Sequence, residues 1–236
     1  METSTNEMSM AQRLNHIRQR MDAACVRSGR NPAEVELIAV SKKKSARTID
    51  IAAQTGQRLF GESYVQELCD KSPEVKRQVS WHFIGALQSN KVKYLRGQVA
   101  MIHAVDRFSL AQELNKQWRK LDARIDVLIQ VNLAGEQSKA GVAPDKVQQL
   151  AEQLATLSHV RLRGLMTLPP YAEDPEDVRP WFRQLRELSE QLAALHLPGV
   201  SMDTLSMGMS HDFEVAIEEG ATLVRVGSAI FGEREV

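Results

Sequence analysis

Eight short apolar runs with strand character alternate with helical segments along nearly the whole chain. The predicted strands lie at residues 35–41, 58–61, 81–85, 101–105, 125–132, 160–168, 202–206 and 222–226. After an opening helix at 11–28, the predicted helices lie at 46–55, 64–71, 90–96, 110–121, 144–157, 178–195 and 212–219. Such alternation predicts parallel strands joined by crossover helices. Eight units in 236 residues favour a closed (β/α)8 TIM-type barrel, with an open doubly wound sheet as the alternative.

Composition narrows the class of protein further. Charged residues make up 25% of the chain and give a formal net charge of zero, which argues against nucleic-acid or membrane-surface binding. Only two cysteines occur, so we expect a reducing, cytoplasmic location. No apolar stretch is long enough to span a bilayer. We expect a polar, disordered leader at 1–10 and a single domain at 11–236.

A lysine stands at the exit of the first predicted strand, in the run LIAVSK at residues 37–42. Alternation places Lys42 on the same face as Val40 and places Lys43 on the other face. Partial burial at a strand end lowers the pKa of an amine, and a neutral amine can form a Schiff base with an aldehyde. The alternative is a solvated loop lysine, and the neighbouring Lys43 and Lys44 are consistent with it.

Two turns rich in small residues follow the seventh and eighth predicted strands. The first contains Ser206 and Ser210, and the second begins at Gly227 and Ser228. Backbone N–H groups, hydroxyls and the close approach that glycine allows suit a phosphate group. Barrels of this type commonly bind phosphate between these two loops. Taken singly, each turn is equally typical of an ordinary strand end. The pair predicts a phosphate site.

An arginine lies two residues before the second turn. Alternation places Arg225 on the face of Leu223 and Gly227, which is the predicted barrel interior. With Lys42 and the two turns, it predicts pyridoxal 5'-phosphate (PLP) as cofactor, with an aldimine on Lys42 and Arg225 facing the pyridine nitrogen. An arginine donates a hydrogen bond and stays cationic, so the ring nitrogen is expected to remain unprotonated. An unprotonated pyridine ring is a weaker electron sink than a protonated one, which disfavours transamination. No metal-ligand motif accompanies these residues.

These residues lie within motifs that resemble the pyridoxal phosphate homeostasis protein family. In chain order the motifs are AVSK (39–42), FGE (60–62), YVQE (64–67), WHFIG (81–85), LQSNK (87–91), RGLM (163–166), LSMGMS (205–210) and RVGSAIFG (225–232). The resemblance implies a single barrel akin to the amino-terminal domain of alanine racemase, PLP fold type III, with the cofactor on Lys42. It implies a non-catalytic carrier or regulator in vitamin B6 and amino-acid homeostasis, with PLP-dependent apo-enzymes as recipients. We expect a monomer.

The chain departs from the usual family pattern at two places. Ser63 stands where the family usually has asparagine, and Lys43-Lys44-Ser45 stands where it usually has TKP. Two other functions remain open. One is a weak PLP-dependent amino-acid racemase with Lys42 as one base. The other is a Schiff-base aldolase acting on a sugar phosphate, although the resemblance argues against it.

Overall fold

The computed structural model describes residues 8–136 and 140–232. Its eight parallel strands form a closed barrel in chain order, and the first strand pairs with the last. The strands are β1 (Glu36–Val40), β2 (Leu59–Glu62), β3 (Ser80–Phe83), β4 (Met101–Val105), β5 (Ile125–Val131), β6 (Val160–Thr167), β7 (Val200–Ser206) and β8 (Leu223–Val226). The predicted closed barrel is therefore confirmed, and the open sheet is excluded.

The helices surround the barrel on its outer face. They are α1 (Met10–Arg27), α2 (Ala46–Gln54), α3 (Val65–Lys71), α4 (Val92–Leu95), α5 (Phe108–Arg119), α6 (Val147–Ala155), α7 (Arg179–Ala193), α8 (Phe213–Glu218) and α9 (Ser228–Phe231). Helix α1 precedes the barrel, and a capping box at Ser9 and Gln12 fixes its start. Of the predicted leader at 1–10, residues 1–7 lie outside the described residues, whereas Met10 already belongs to α1. No helix in the described ranges is both long and apolar enough to cross a membrane.

Most strand residues are buried, and the two faces of the barrel differ in chemistry. Side chains that point outward, such as Leu37 and Phe60, pack with the helices in one large apolar core. The barrel interior holds a smaller apolar cluster that consists of Ile38, Met101, Ala104, Leu128, Met166 and Leu223, with Leu59 packed against it. Polar side chains are also buried among the strands, and such groups require hydrogen-bond partners. These partners define the candidate site.

Candidate functional site

A cavity of about 310 Å³ opens at the carboxyl-terminal end of the barrel, and we call it the rim cavity. Five of the six residues singled out from the sequence line it: Lys42, Ser210, Arg225, Gly227 and Ser228. Its other lining residues include Val40, Lys44, Ser63, Ile84, Leu168, Met209, His211 and Phe231. The barrel thus brings together side chains from loops that are far apart in the chain. The sixth residue, Ser206, is fully buried and lies below this cavity.

Lys42 reaches the rim cavity from a tight turn that follows β1. The turn is closed by the backbone N–H of Lys44, which donates to the Ser41 carbonyl at 3.0 Å. Lys43 adopts a left-handed φ of 61° and lies exposed, away from the rim cavity. Lys42 and Lys43 lie beyond the end of β1 at Val40, so the turn and the left-handed backbone of Lys43, and not strand parity, separate the two side chains. Lys44 also lines the cavity and donates from Nζ to the Phe231 carbonyl at 3.1 Å, so a second amine is present at its edge.

A buried ion pair supports this turn from the outer side of the barrel. Lys71 donates from Nζ to Glu62 Oε1 at 2.7 Å and to the Ser41 carbonyl at 3.0 Å. Ser41 Oγ donates to the same Glu62 oxygen at 2.7 Å. Glu67 Oε1 accepts from Lys71 and from the backbone N–H of Lys43. Burial raises the pKa of Glu62, and its hydrogen bonds from Lys71 and Ser41 oppose that rise.

The two predicted phosphate turns contact each other directly. Ser210 Oγ accepts from the backbone N–H of Gly227 at 3.3 Å and from Ser228 Oγ at 3.2 Å. Gly208, within the first turn, has a φ of 91°, and a Cβ there would lie 2.6 Å from the Ala216 Cβ. Glycine is therefore required at this position by the backbone of the turn. The result is a group of two hydroxyls and a backbone N–H on one wall of the rim cavity.

Arg225 closes the floor of the rim cavity and is almost fully buried. Its Nη1 donates to Ser206 Oγ at 2.5 Å, and its Nη2 donates to the Thr167 carbonyl at 2.8 Å. Burial lowers the pKa of Arg225 to about 10, and the nearby Asp212 carboxylate opposes this shift. At neutral pH the guanidinium is therefore cationic, as the sequence argument requires.

Two histidines continue the polar contacts below Ser206. His103 Nδ1 lies 2.9 Å from Ser206 Oγ, and His103 Nε2 lies 3.0 Å from His82 Nδ1. Burial lowers the pKa of His82 to about 4. Burial, together with the charges of His82 and Arg225, lowers the pKa of His103 well below its ordinary value. Both imidazoles are neutral at pH 7.

A larger chamber of about 520 Å³ adjoins the rim cavity, and we call it the side chamber. It shares six lining residues with the rim cavity: Lys42, Ser63, Ile84, Leu168, Met209 and His211. Its remaining wall is mostly apolar and includes the proline-rich segment after β6, from which Tyr171 contributes. Lys42 therefore lies between the rim cavity and a space large enough for a second small molecule.

The sequence argument missed three buried residues of this arrangement: Glu62, Lys71 and His103. Glu62 carried a usable signal, because strand parity places it on the helix-covered face with Phe60. A carboxylate on that face requires a partner. No local sequence pattern predicts the role of His103, because its contact with Ser206 joins residues that are 103 positions apart. Such a contact depends on closure of the barrel.

Comparison with known proteins agrees with the fold and its motifs. Residues 12–235 match the family model described as "Alanine racemase, N-terminal domain". The pyridoxal phosphate homeostasis protein of Aquifex aeolicus is 47% identical over 229 residues, which cover 97% of this chain and 100% of that protein. The protein of the same name from Escherichia coli K12 is 42% identical over 230 residues, with 96% and 97% covered.

A solved structure gives the same result. PipY of Synechococcus elongatus, in a structure with PLP bound, has a TM-score of 0.84 and 35% sequence identity, over 95% of this chain and 100% of that one. The chain thus belongs to the pyridoxal phosphate homeostasis protein family, which carries the alanine racemase amino-terminal fold.

Proposed function

We propose that this protein binds PLP in the rim cavity and acts in intracellular vitamin B6 and amino-acid homeostasis. The observation that carries the proposal is the convergence of an amine, a cation and a hydroxyl cluster on one cavity. These groups are Lys42, Arg225 and the pair Ser210 and Ser228. The name of the family and the PLP bound to PipY support the same cofactor.

The residues present fit the cofactor chemically. The cavity volume of about 310 Å³ suits a small ligand. The Ser210 hydroxyl accepts from the Gly227 N–H and from the Ser228 hydroxyl, so its own proton is the donor directed to a phosphate. A bound phosphate would also compete with Ser210 for the Gly227 N–H and the Ser228 hydroxyl. Arg225 is cationic and donates, so it suits the lone pair of an unprotonated pyridine nitrogen. Ser206 contributes indirectly, because it holds the Arg225 guanidinium.

We assign the covalent link to Lys42. Its amine nitrogen bonds to the aldehyde carbon of PLP, and the aldehyde oxygen leaves as water. When bound, PLP supplies an electron sink for amino-group chemistry. An arginine opposite the ring nitrogen keeps that sink weak, which suits a carrier or regulator better than a transaminase.

Visible absorbance of the purified protein with added PLP tests the assignment. Wild type is expected to show the yellow chromophore and to retain the cofactor after borohydride reduction. Lys42→Ala is expected to lose both properties. Lys43→Ala and Lys44→Ala serve as matched controls, because one lysine lies outside the rim cavity and the other lines it. Peptide mass spectrometry of the reduced protein then identifies the modified lysine. Label on Lys44, or no label, would overturn the assignment.

We propose a cytoplasmic, monomeric carrier that passes PLP to PLP-dependent apo-enzymes. Cys25 and Cys69 are both free thiols, which is consistent with a reducing compartment. Light scattering tests the monomer, and activation of an apo-enzyme by the loaded protein tests the transfer.

A weak amino-acid racemase is the second candidate, and the side chamber favours it. Racemisation requires an acid and a base on opposite faces of the substrate carbon. The side chamber places Tyr171 and His211 on the same cavity as Lys42. Conversion of L-alanine or L-serine to its D-enantiomer, lost in both Lys42→Ala and Tyr171→Phe, would support this activity. No conversion by wild type would exclude it.

A further inference from the structure

A column of polar side chains crosses the barrel interior from the rim cavity to the opposite end. It consists of Arg225, Ser206, His103 and His82, joined by contacts of 2.5, 2.9 and 3.0 Å. These side chains come from four different strands. The two histidines are 0% and 6% exposed, for His103 and His82 respectively. Burying polar side chains is costly unless each one is hydrogen-bonded. The presence of four such side chains in the barrel interior therefore suggests that they have a function.

The lower end of the column meets a second cavity, of about 600 Å³, which we call the amino-end cavity. His82 lines it together with the carboxylates of Glu34, Glu36 and Asp203 and the guanidinium of Arg163. His82 is therefore the boundary between the dry interior and this more polar space. The column connects the two ends of the barrel.

The chemistry of the upper end fixes the direction of the hydrogen bonds. A guanidinium only donates, so Ser206 Oγ accepts from Arg225. The Ser206 hydroxyl proton then requires an acceptor, and His103 Nδ1 is within reach. His103 must consequently carry its proton on Nε2 and donate to His82 Nδ1. The reverse arrangement leaves the Ser206 proton without an acceptor among the described residues, at a cost comparable to a lost buried hydrogen bond.

We propose that His103 and His82 are positioning residues for Arg225, acting through Ser206, with both imidazoles protonated on Nε2. The proposal deepens the proposed function and rests on it, because Arg225 is the residue assigned to the cofactor ring. With Ser206 held as a donor to His103, its oxygen lone pair stays directed at the guanidinium. The guanidinium is thereby kept at the floor of the rim cavity.

Two measurements on the protein without cofactor test the column itself. Nitrogen NMR of histidine-labelled protein is expected to show both rings in the Nε2–H form at about pH 7. Hydrogen exchange of the Arg225 guanidinium protons is expected to be slow in wild type and at least about tenfold faster in His103→Leu. An Nδ1–H form or an imidazolium at either ring would overturn the stated direction. Equal exchange in wild type and His103→Leu would overturn the positioning role.

A conservative variant separates hydrogen bonding from packing. His103→Asn keeps an acceptor at the place of Nδ1 but leaves a larger hole than His103→Leu. We expect slow exchange to be restored in His103→Asn. If the ring only filled space, His103→Asn would be the worse of the two, and that result would refute the proposal. Should His103→Leu fail to fold, Ser206→Ala removes a single oxygen and breaks the same column.

Cofactor affinity then links the column to the site. PLP is expected to bind His103→Leu about tenfold more weakly than wild type, and His103→Asn nearly as well as wild type. Leu128→Ala is the control, because it disturbs the interior apolar cluster without removing a hydrogen bond. Failure of wild type to bind PLP would overturn the proposed function, whereas the exchange rates and tautomers would still decide the column.

Discussion

Lys71 Nζ lies 2.7 Å from Glu62 Oε1, and both side chains are buried on the outer side of β2. The same ammonium donates to the carbonyl of Ser41, the residue before Lys42. Removing one member of a buried pair leaves an uncompensated charge, which costs more than the pair itself contributes. This ion pair therefore connects the stability of the fold to the turn that presents Lys42.

Lys71→Met is expected to lower the free energy of unfolding by about 3 kcal/mol at neutral pH. The reason is that the buried Glu62 side chain would lose its counter-ion, and burial, which already raises its pKa, makes an unpaired carboxylate there costly. Lowering the pH should recover part of the loss, since protonation removes the buried charge. Urea denaturation at several pH values measures both effects. The double variant Glu62→Gln/Lys71→Met is the control and should be more stable than Lys71→Met alone; the reverse order would contradict the argument.

The neutral histidine pair predicts a loss of stability in acid. His82 has a folded-state pKa of about 4 against an ordinary value of 6.5, so the unfolded chain binds more protons between these values. The stabilisation is complete above pH 6.5 and is lost as the pH falls toward about 4, with a total of about 3 kcal/mol from this residue. Denaturation midpoints across this range measure the slope. His82→Gln should reduce the slope to the contribution that His103 leaves, whereas His16→Gln, at an exposed position, should not change it.

The fold follows from patterns that are local in the chain. The sequence predicts strand β4 at 101–105, and the structure has it at the same bounds; Asp106 follows the last apolar residue and marks its end. Helix α5 begins and ends two residues before its predicted bounds. The apolar periodicity predicts too late an end for α5 because it counts Leu121, which is apolar but lies beyond the last helical turn and is 47% exposed.

The residues of the candidate site form two groups: those that local sequence patterns predict and those that depend on tertiary packing. Strand parity places Arg225 on the inner face of β8, since that rule concerns neighbouring residues of one strand. Lys42 lies two residues beyond the end of β1, so its place in the rim cavity depends on the turn. Lys71 and His103 act through partners brought together by tertiary packing. Barrel closure sets the His103–Ser206 contact, and the packing of α3 on β2 sets the Lys71–Glu62 contact. A single sequence carries no local signal for either pairing.

The phosphate assignment predicts unequal effects in the second turn. Gly227→Val should weaken PLP binding by at least about tenfold, because the added side chain narrows the approach to the backbone N–H. A Cβ at this position lies 3.4 Å from its nearest neighbour, Val40, so the fold itself is expected to tolerate the change. Ser228→Ala leaves the N–H in place and should cost less. Fluorescence titration with PLP measures both affinities; similar values for wild type and the two variants would place the phosphate elsewhere.

Arg225 sets the protonation of the cofactor ring in our assignment. Arg225→Glu replaces a buried donor by a carboxylate, which favours a protonated pyridine nitrogen and a stronger electron sink. Side transamination with added amino acids should therefore rise in this variant, provided that it retains PLP. Arg225→Gln tests the charge alone, since an amide still donates but adds no negative charge, and it should leave the ring unprotonated. Nitrogen NMR of labelled PLP measures the protonation directly. A protonated ring in wild type at neutral pH would contradict the role assigned to Arg225 and remove the physical argument against transamination.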